Sequence, residues 1–337
     1  MNSRDRVIKA FKREIPDRVP HFELIIDKRI LNKIIPGINY FDFVDEYDID
    51  GVTIKFDNKI IKIEDKIFKD ERGLLLRETM EEYKIPVNTV IKNEADLKKF
   101  EFPDPNAEYR FSTLKKAVEK FKNKRAIIVR LKDGWSEARD LHGYENTLMD
   151  LIDNPNLIRN IIEKAVDYYS ELGRLAAKIG ADIAFSGDDI SGINGMLMSP
   201  YHFKEIIYPA MKRLYKNWHS YGLFVLKHSD GNLNDIMDLL IETGLDCLNP
   251  IDPLAGMSLE KIKIKYGHKI CLMGNVNCAG NLVYGSKEDV IKEVLNCIKV
   301  ASYNGGYILS SSNSIHSSVN PANYIAMIEA VKKYGIY

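Results

Sequence analysis

The sequence has no excess of either charge. Lys+Arg and Asp+Glu each number 48, so there is no basic field to recruit nucleic acid and no acidic tail. Cysteine is scarce. Cys247, Cys271, Cys278 and Cys297 form no CxxC pair and no metal-ligand spacing; beside apolar runs they read as small core residues. No apolar stretch reaches 18 residues, which argues against a membrane-spanning helix. The charged start, Met1 to Arg6, lacks the apolar segment of a signal peptide. No glycine-rich phosphate turn follows an early strand, which counts against a doubly wound nucleotide-binding sheet. These absences leave a cytosolic protein that acts on a small molecule or on a specific protein partner.

What the sequence does contain is a repeated unit. Hydrophobic residues make up 45% of 337 residues, enough for a large core. Residues 1 to 18 read as an amphipathic helix closed by Pro16-Asp17-Arg18-Val19-Pro20, followed by a strand from Val19 to Ile25. Residues 59 to 92 alternate apolar and charged around a Glu71-Arg72-Gly73 turn, the pattern of a hairpin insertion. From residue 110 helices end in glycine and pass into short apolar strands. The helix Leu157 to Ile179, with its 3.6-residue apolar stripe and Gly180 as cap, is the clearest case. Strands are expected near residues 22, 53, 128, 183, 225, 247, 272 and 308. The rhythm implies an α/β fold, a single (β/α)8 TIM barrel over residues 1–337, with an N-terminal helix and a β-hairpin insertion.

In such a barrel the chemistry lies at the C-terminal tips of the strands. Read in order, the polar tips are Glu23, Lys55 with Asp57, Arg130 with Lys132 and Asp133, Asp188 with Asp189, His228 with Asp230 and Asn232, Asn249 with Asp252, Asn275 with Asn277, and Ser311 with Asn313. The stretch Lys227-His228-Ser229-Asp230-Gly231-Asn232 is the most informative. His228 and Asp230, two apart on an extended segment, face the same way and make a metal-ligating or proton-transfer pair. Asp188 and Asp189 suit acid–base work or cation binding, or alternatively a helix cap. Trp135 is placed to wall off a flat ligand or to pack the rim. His316 lies in the loop after the last strand. The glycine-bearing apolar loop from Gly192 to Pro200 reads as a lid or a docking surface.

Several segments resemble the uroporphyrinogen decarboxylase superfamily, and within it the corrinoid-dependent methyltransferases. They are Ile15-Pro16-Asp17-Arg18-Val19-Pro20, Gly187-Asp188-Asp189, Met198-Ser199-Pro200, Tyr208-Pro209, His228-Ser229-Asp230-Gly231-Asn232, Gly274-Asn275-Val276 and the ending from Gly306 to Asn323. The resemblance implies a (β/α)8 barrel. The family's decarboxylases hold porphyrinogen carboxylates with an arginine-rich segment; the matching stretch here, Pro20 to Ile25, has no arginine. Thiol-methylating members carry zinc on His-x-Cys plus a distant Cys. Here the match is His228-x-Asp230, with the distant position near Ser314, a harder and less thiophilic set.

The resemblance therefore implies the O-demethylase type of anaerobic metabolism. A methyl group passes from a methoxylated or N-methylated compound to the cobalt of a corrinoid protein, the expected partner. His228, Asp230 and Asp188 are the expected catalytic residues, with zinc held by His228 and Asp230. Glu23, Asp189, Asn249, Asn275, Asn313 and Trp135 are expected around the substrate, and the loop from Ile190 to Pro200 against the corrinoid protein. Methylcorrinoid-to-tetrahydrofolate or thiol transfer, decarboxylation of a smaller acid, and a non-catalytic corrinoid-protein sensor remain as alternatives. Self-association as a homodimer stays open.

Overall fold

The computed structural model describes residues 1–81 and 83–337. Its main sheet is parallel and seven-stranded, in the order β1 (Gly51–Lys55), β6 (Ala126–Leu131), β7 (Ile183–Gly187), β10 (Phe224–His228), β11 (Cys247–Asn249), β12 (Cys271–Val276), β13 (Tyr307–Ser311). Strands β2 (Ile60–Glu64), β3 (Ile67–Asp70), β4 (Leu75–Glu78) and β5 (Lys84–Pro86) form a separate antiparallel sheet. The expected hairpin insertion is thus a four-stranded meander. Strands β8 (Ser191–Gly192) and β9 (Gly195–Met196) form a small hairpin at the loop expected to act as a lid or a docking surface.

Every residue of β6 except Arg130 is buried, as expected for a parallel strand covered on both faces. The crossover helices supply that cover. In Pro155–Ile179, Asn154 caps the first turn, Pro155 opens it, and Gly180 ends it at φ 129°. Its buried stripe includes Ile158, Ile161, Ile162, Ala165 and Val166; each large aliphatic side chain so placed contributes about 1.5–3 kcal/mol of transfer free energy.

The eighth strand, expected over Val19 to Ile25, forms no regular ladder. The segment still spans the gap between β13 and β1. Leu309 N–H donates to Pro20 O at 2.9 Å, Asp50 N–H to His21 O at 2.9 Å, and Ile315 N–H to Ile25 O at 2.9 Å. Only isolated bridges form, His21 with Leu309 and Ile26 with Ile315. Pro20 has no N–H, His21 N–H is taken by the Asp50 carboxylate at 2.8 Å, and Glu23 C=O by the Thr53 hydroxyl at 2.9 Å. Side chains have replaced the ladder partners.

The opposite, N-terminal ends of the strands are tied to helix Ser3–Phe11. Buried Asp50, just before β1, accepts from Arg6 Nη1 at 2.6 Å and from Arg18 Nη1 at 2.9 Å. Arg4 Nη2 donates to Asp182, just before β7, at 2.7 Å. The Asp17-Arg18-Val19-Pro20 motif thus serves as a structural clasp at the end of the sheet away from the candidate site. Among the described residues no helix is long and apolar enough to cross a membrane.

Candidate active site

At the C-terminal ends of the strands lies a cavity of about 530 Å³. Its walls include Leu24, Ile25, Tyr40, Ile54, Leu254 and Ile315, and its polar lining includes Lys55, Arg130, Asp230, Asp252 and Asn313.

His228 ends β10 and its ring is fixed by Asn249, at the tip of β11. The Asn249 amide nitrogen donates to Met273 O at 3.2 Å and Ser310 Oγ at 3.3 Å, so its Oδ1 is the acceptor facing His228 Nδ1 at 2.6 Å. Nδ1 therefore carries hydrogen, and Nε2 is directed at the carboxylates. Asp189 Oδ1 lies 3.8 Å from Nε2 and Asp230 Oδ1 3.6 Å. One donor atom from each of the three residues lies within 4.8 Å of the others. An imidazole lone pair facing two carboxylate oxygens is stable only with a cation between them, a proton or a metal ion.

The supports of this cluster come from three directions. Asp230 N–H donates to Asp189 Oδ1 at 2.8 Å, and Asn313 Nδ2 donates to Asp230 Oδ2. Gly231 N–H donates to Asp252 Oδ2 at 3.0 Å. Gly231 sits at φ 89°, with a would-be Cβ 2.7 Å from the Gly192 backbone, so no other residue fits this turn without moving the β8–β9 hairpin. Burial pushes the Asp230 pKa up to about 6, against the pull of His228. Asp230 Oδ1 is buried and lacks a hydrogen-bond partner among the described residues. An orphaned buried carboxylate oxygen beside an imidazole nitrogen and a second carboxylate fits a divalent cation. The N, O, O donor set suits zinc or a comparably hard ion.

Asp188 points the other way. Its Oδ1 accepts from Arg139 Nη2 and from Asp189 N–H, and burial pushes its pKa up to about 8 against the pull of Arg139. Of the adjacent pair it is therefore Asp189 that stands beside His228, while Asp188 holds the turn. Trp135 is likewise buried: its Nε1 donates to Asp189 O at 3.1 Å, with Arg139 Nη1 on the same oxygen at 3.3 Å. It fixes Asp189 from behind and does not wall the cavity. Beneath them Lys227, fully buried, pairs with Asp133 at 2.8 Å and donates to Asp188 O at 2.9 Å.

Glu23 is buried under the last tip. Ser311 N–H donates to its Oε1 at 2.9 Å, and Ser311 Oγ lies 2.7 Å from Oε2 and 2.6 Å from Asn313 O. One hydroxyl hydrogen cannot serve both oxygens. With it on Asn313 O, the other contact is satisfied when Glu23 itself is protonated. Burial supports that state, pushing the Glu23 pKa up to about 8. The chain Glu23, Ser311, Asn313 thus ends on Asp230.

Asn275 is drawn into the scaffold: Nδ2 donates to Ile251 O at 2.7 Å and Oδ1 accepts from Cys297 Sγ at 3.6 Å. His316 lines the cavity, but its nitrogens contact Cys278 O at 3.0 Å and Ser318 N–H at 3.3 Å. Arg139 was not singled out in the sequence. Its helix, Gly134–His142, begins with Asp133 as cap, and that cap is its one local signal in the sequence.

The profile of the family Uroporphyrinogen decarboxylase (URO-D) matches residues 76–334. The chain belongs to that family. No curated protein matches the sequence. Among solved structures the chain is similar to a methyltransferase from Methanosarcina mazei, at TM-score 0.80 and 17% identity, covering 99% of each chain. It is also similar to D-psicose 3-epimerase from Clostridium cellulolyticum H10, at TM-score 0.48 and 10% identity, covering 89% of this chain and 94% of that one. The first likeness establishes the shared fold.

Proposed function

We propose that this URO-D family member is a methyltransferase that moves a methyl group from a methoxylated or N-methylated small molecule to the cobalt of a corrinoid protein. The observation that carries this reading is the Asp189–His228–Asp230 cluster, whose Asp230 lines a largely apolar cavity. The fold shared with a protein described as a methyltransferase supports it.

The demand on the protein is leaving-group activation. The methyl group's bond to oxygen or nitrogen breaks, its carbon bonds to the reduced cobalt of the acceptor, and the departing heteroatom keeps the electron pair. Asn249 orients His228, and Asp189 and Asp230 complete the cation site. A divalent metal such as zinc, when bound there, supplies Lewis acidity toward that heteroatom. Asp188, Arg139 and Trp135 hold Asp189 in place. The apolar walls exclude water from the developing charge. Leu254, which lines the cavity, and Ile193, in the β8–β9 hairpin, are exposed and offer apolar contacts to the corrinoid protein.

The test is methyl transfer to cob(I)alamin from a panel of methoxylated and N-methylated compounds, read by cobalt absorbance. Methylcobalamin formation with a donor, lost in His228→Ala, supports the reading; no transfer from any donor ends it. A second reading, decarboxylation of a small acid, draws on the cations Lys55 and Arg130 in the cavity and on the family. Carbon dioxide release without cobalamin selects it.

A further inference from the structure

Two cations in the cavity have no anionic partner among the described residues. Lys55 and Arg130 are the last register pair of the β1–β6 ladder, side by side on adjacent parallel strands. Both line the cavity and both are exposed to it. Among the described residues neither makes a hydrogen bond or an ion pair. The neighbouring cations are all engaged: Lys132 with Asp140 and Glu137, Arg139 with Asp188, Lys227 with Asp133. The carboxylates that act on Arg130 from a distance, Asp188 and Asp140, are thus already spent on other cations. Like charges set directly across a strand pair repel. A protein that keeps two together, unpaired, inside a cavity has built a site for an anion.

The position of the pair relative to the catalytic cluster limits the size of that anion. Arg130 Cζ lies 5.9 Å from the Phe185 ring centroid, and the His228 ring lies 6.2 Å from the same centroid, edge-on. Both groups neighbour one phenyl ring, which limits their separation to the span of a small molecule, and Arg130 shares the cavity lining with Asp230 of the cluster. The walls of the cavity include the aliphatic side chains of Ile54, Leu24 and Ile315.

We propose that Lys55 and Arg130 form a carboxylate subsite. The methyl donor is accordingly a compact, largely apolar acid, docked by its carboxylate on this pair with its methyl-bearing end at the Asp189–His228–Asp230 cluster. This rests on the methyl-donor reading above and adds the substrate class. Two adjacent cations offer one donor group to each oxygen of a single carboxylate, which sets this site apart from one for a polycarboxylate.

Binding tests the subsite without methyl transfer. The holoprotein is titrated calorimetrically with 4-methoxybenzoate, with benzoate, which has no methyl group to give, with short methoxylated and trimethylammonium acids, with the primary amide of each, and with inorganic phosphate. At least one acid should bind about ten- to a hundredfold tighter than its amide. That preference should collapse in Arg130→Gln and weaken in Lys55→Gln, and phosphate should not compete. Both side chains are open to the cavity, and replacing either relieves repulsion, so the variants should fold; the acid-over-amide ratio and its decline with salt in the unmodified protein stand without them. Equal binding of acid and amide, no binding of any acid, a preference unchanged in both variants, or phosphate as the better ligand each overturns the proposal. An acid preference in a protein that transfers no methyl group would keep the subsite and discard the methyltransferase reading.

Discussion

The imidazole of His228 is held by Asn249: Nδ1 lies 2.6 Å from the amide oxygen, whose own orientation is fixed by two further hydrogen bonds from the amide nitrogen. A residue one strand away thus decides which histidine nitrogen faces Asp189 and Asp230.

Asn249→Ala should reduce metal affinity about 10- to 100-fold, the usual effect of losing the group that orients a histidine ligand. It should also destabilise the fold by about 1–3 kcal/mol, since Met273 O and Ser310 lose a partner. Chelator competition reads the first effect and urea unfolding the second. An unchanged metal affinity with lowered stability would make Asn249 a merely structural residue.

Lys227 and Asp133 are a fully buried ion pair. Lys227→Met leaves the buried Asp133 carboxylate without its cation, and should cost about 3–5 kcal/mol. Adding Asp133→Leu should return part of that loss. A double-mutant cycle by denaturant unfolding checks it; additive single effects would show that the two side chains do not act as a pair.

Glu23 makes stability depend on pH. Its pKa in the folded protein is about 8, above the ordinary glutamate value of about 4.3. Its contribution is therefore fully present below the ordinary value, is lost as pH rises toward 8, and changes no further above that. The loss runs at no more than about 1.4 kcal/mol per pH unit. The melting temperature of the unmodified protein should fall relative to that of Glu23→Gln between pH 5 and pH 8. Parallel curves across that window would mean that Glu23 is ionised in the native state.

Much of this was legible in the sequence because period and punctuation are local. The stripe from Leu157 to Ile179 with Gly180 behind it named its helix, and seven apolar runs became the seven strands of the parallel sheet. The segment from Val19 to Ile25 also looks like a strand, yet its ladder partners were displaced by Asp50 and Thr53, contacts about 30 residues away in sequence that no local pattern carries. The same holds in the site. His228 and Asp230 stand out by spacing, but the choice of Asp189 over its neighbour Asp188 depends on Arg139, set 49 residues earlier. Asn275 and Trp135 carry the right chemistry at the right tips, yet their N–H donors are spent on backbone carbonyls. Lys55 and Arg130 were visible as tips; only the register between β1 and β6 shows that they stand together.

The most direct test of the account is a metal titration read by turnover. Metal-free protein is loaded stepwise with Zn²⁺ while methyl transfer from an active donor to cob(I)alamin is measured at each step. The account predicts a rate that climbs to a plateau at about one ion per chain, and no rate at any loading in Asp230→Ala. Full activity in the metal-free protein, or activity indifferent to the loss of Asp230, would contradict it.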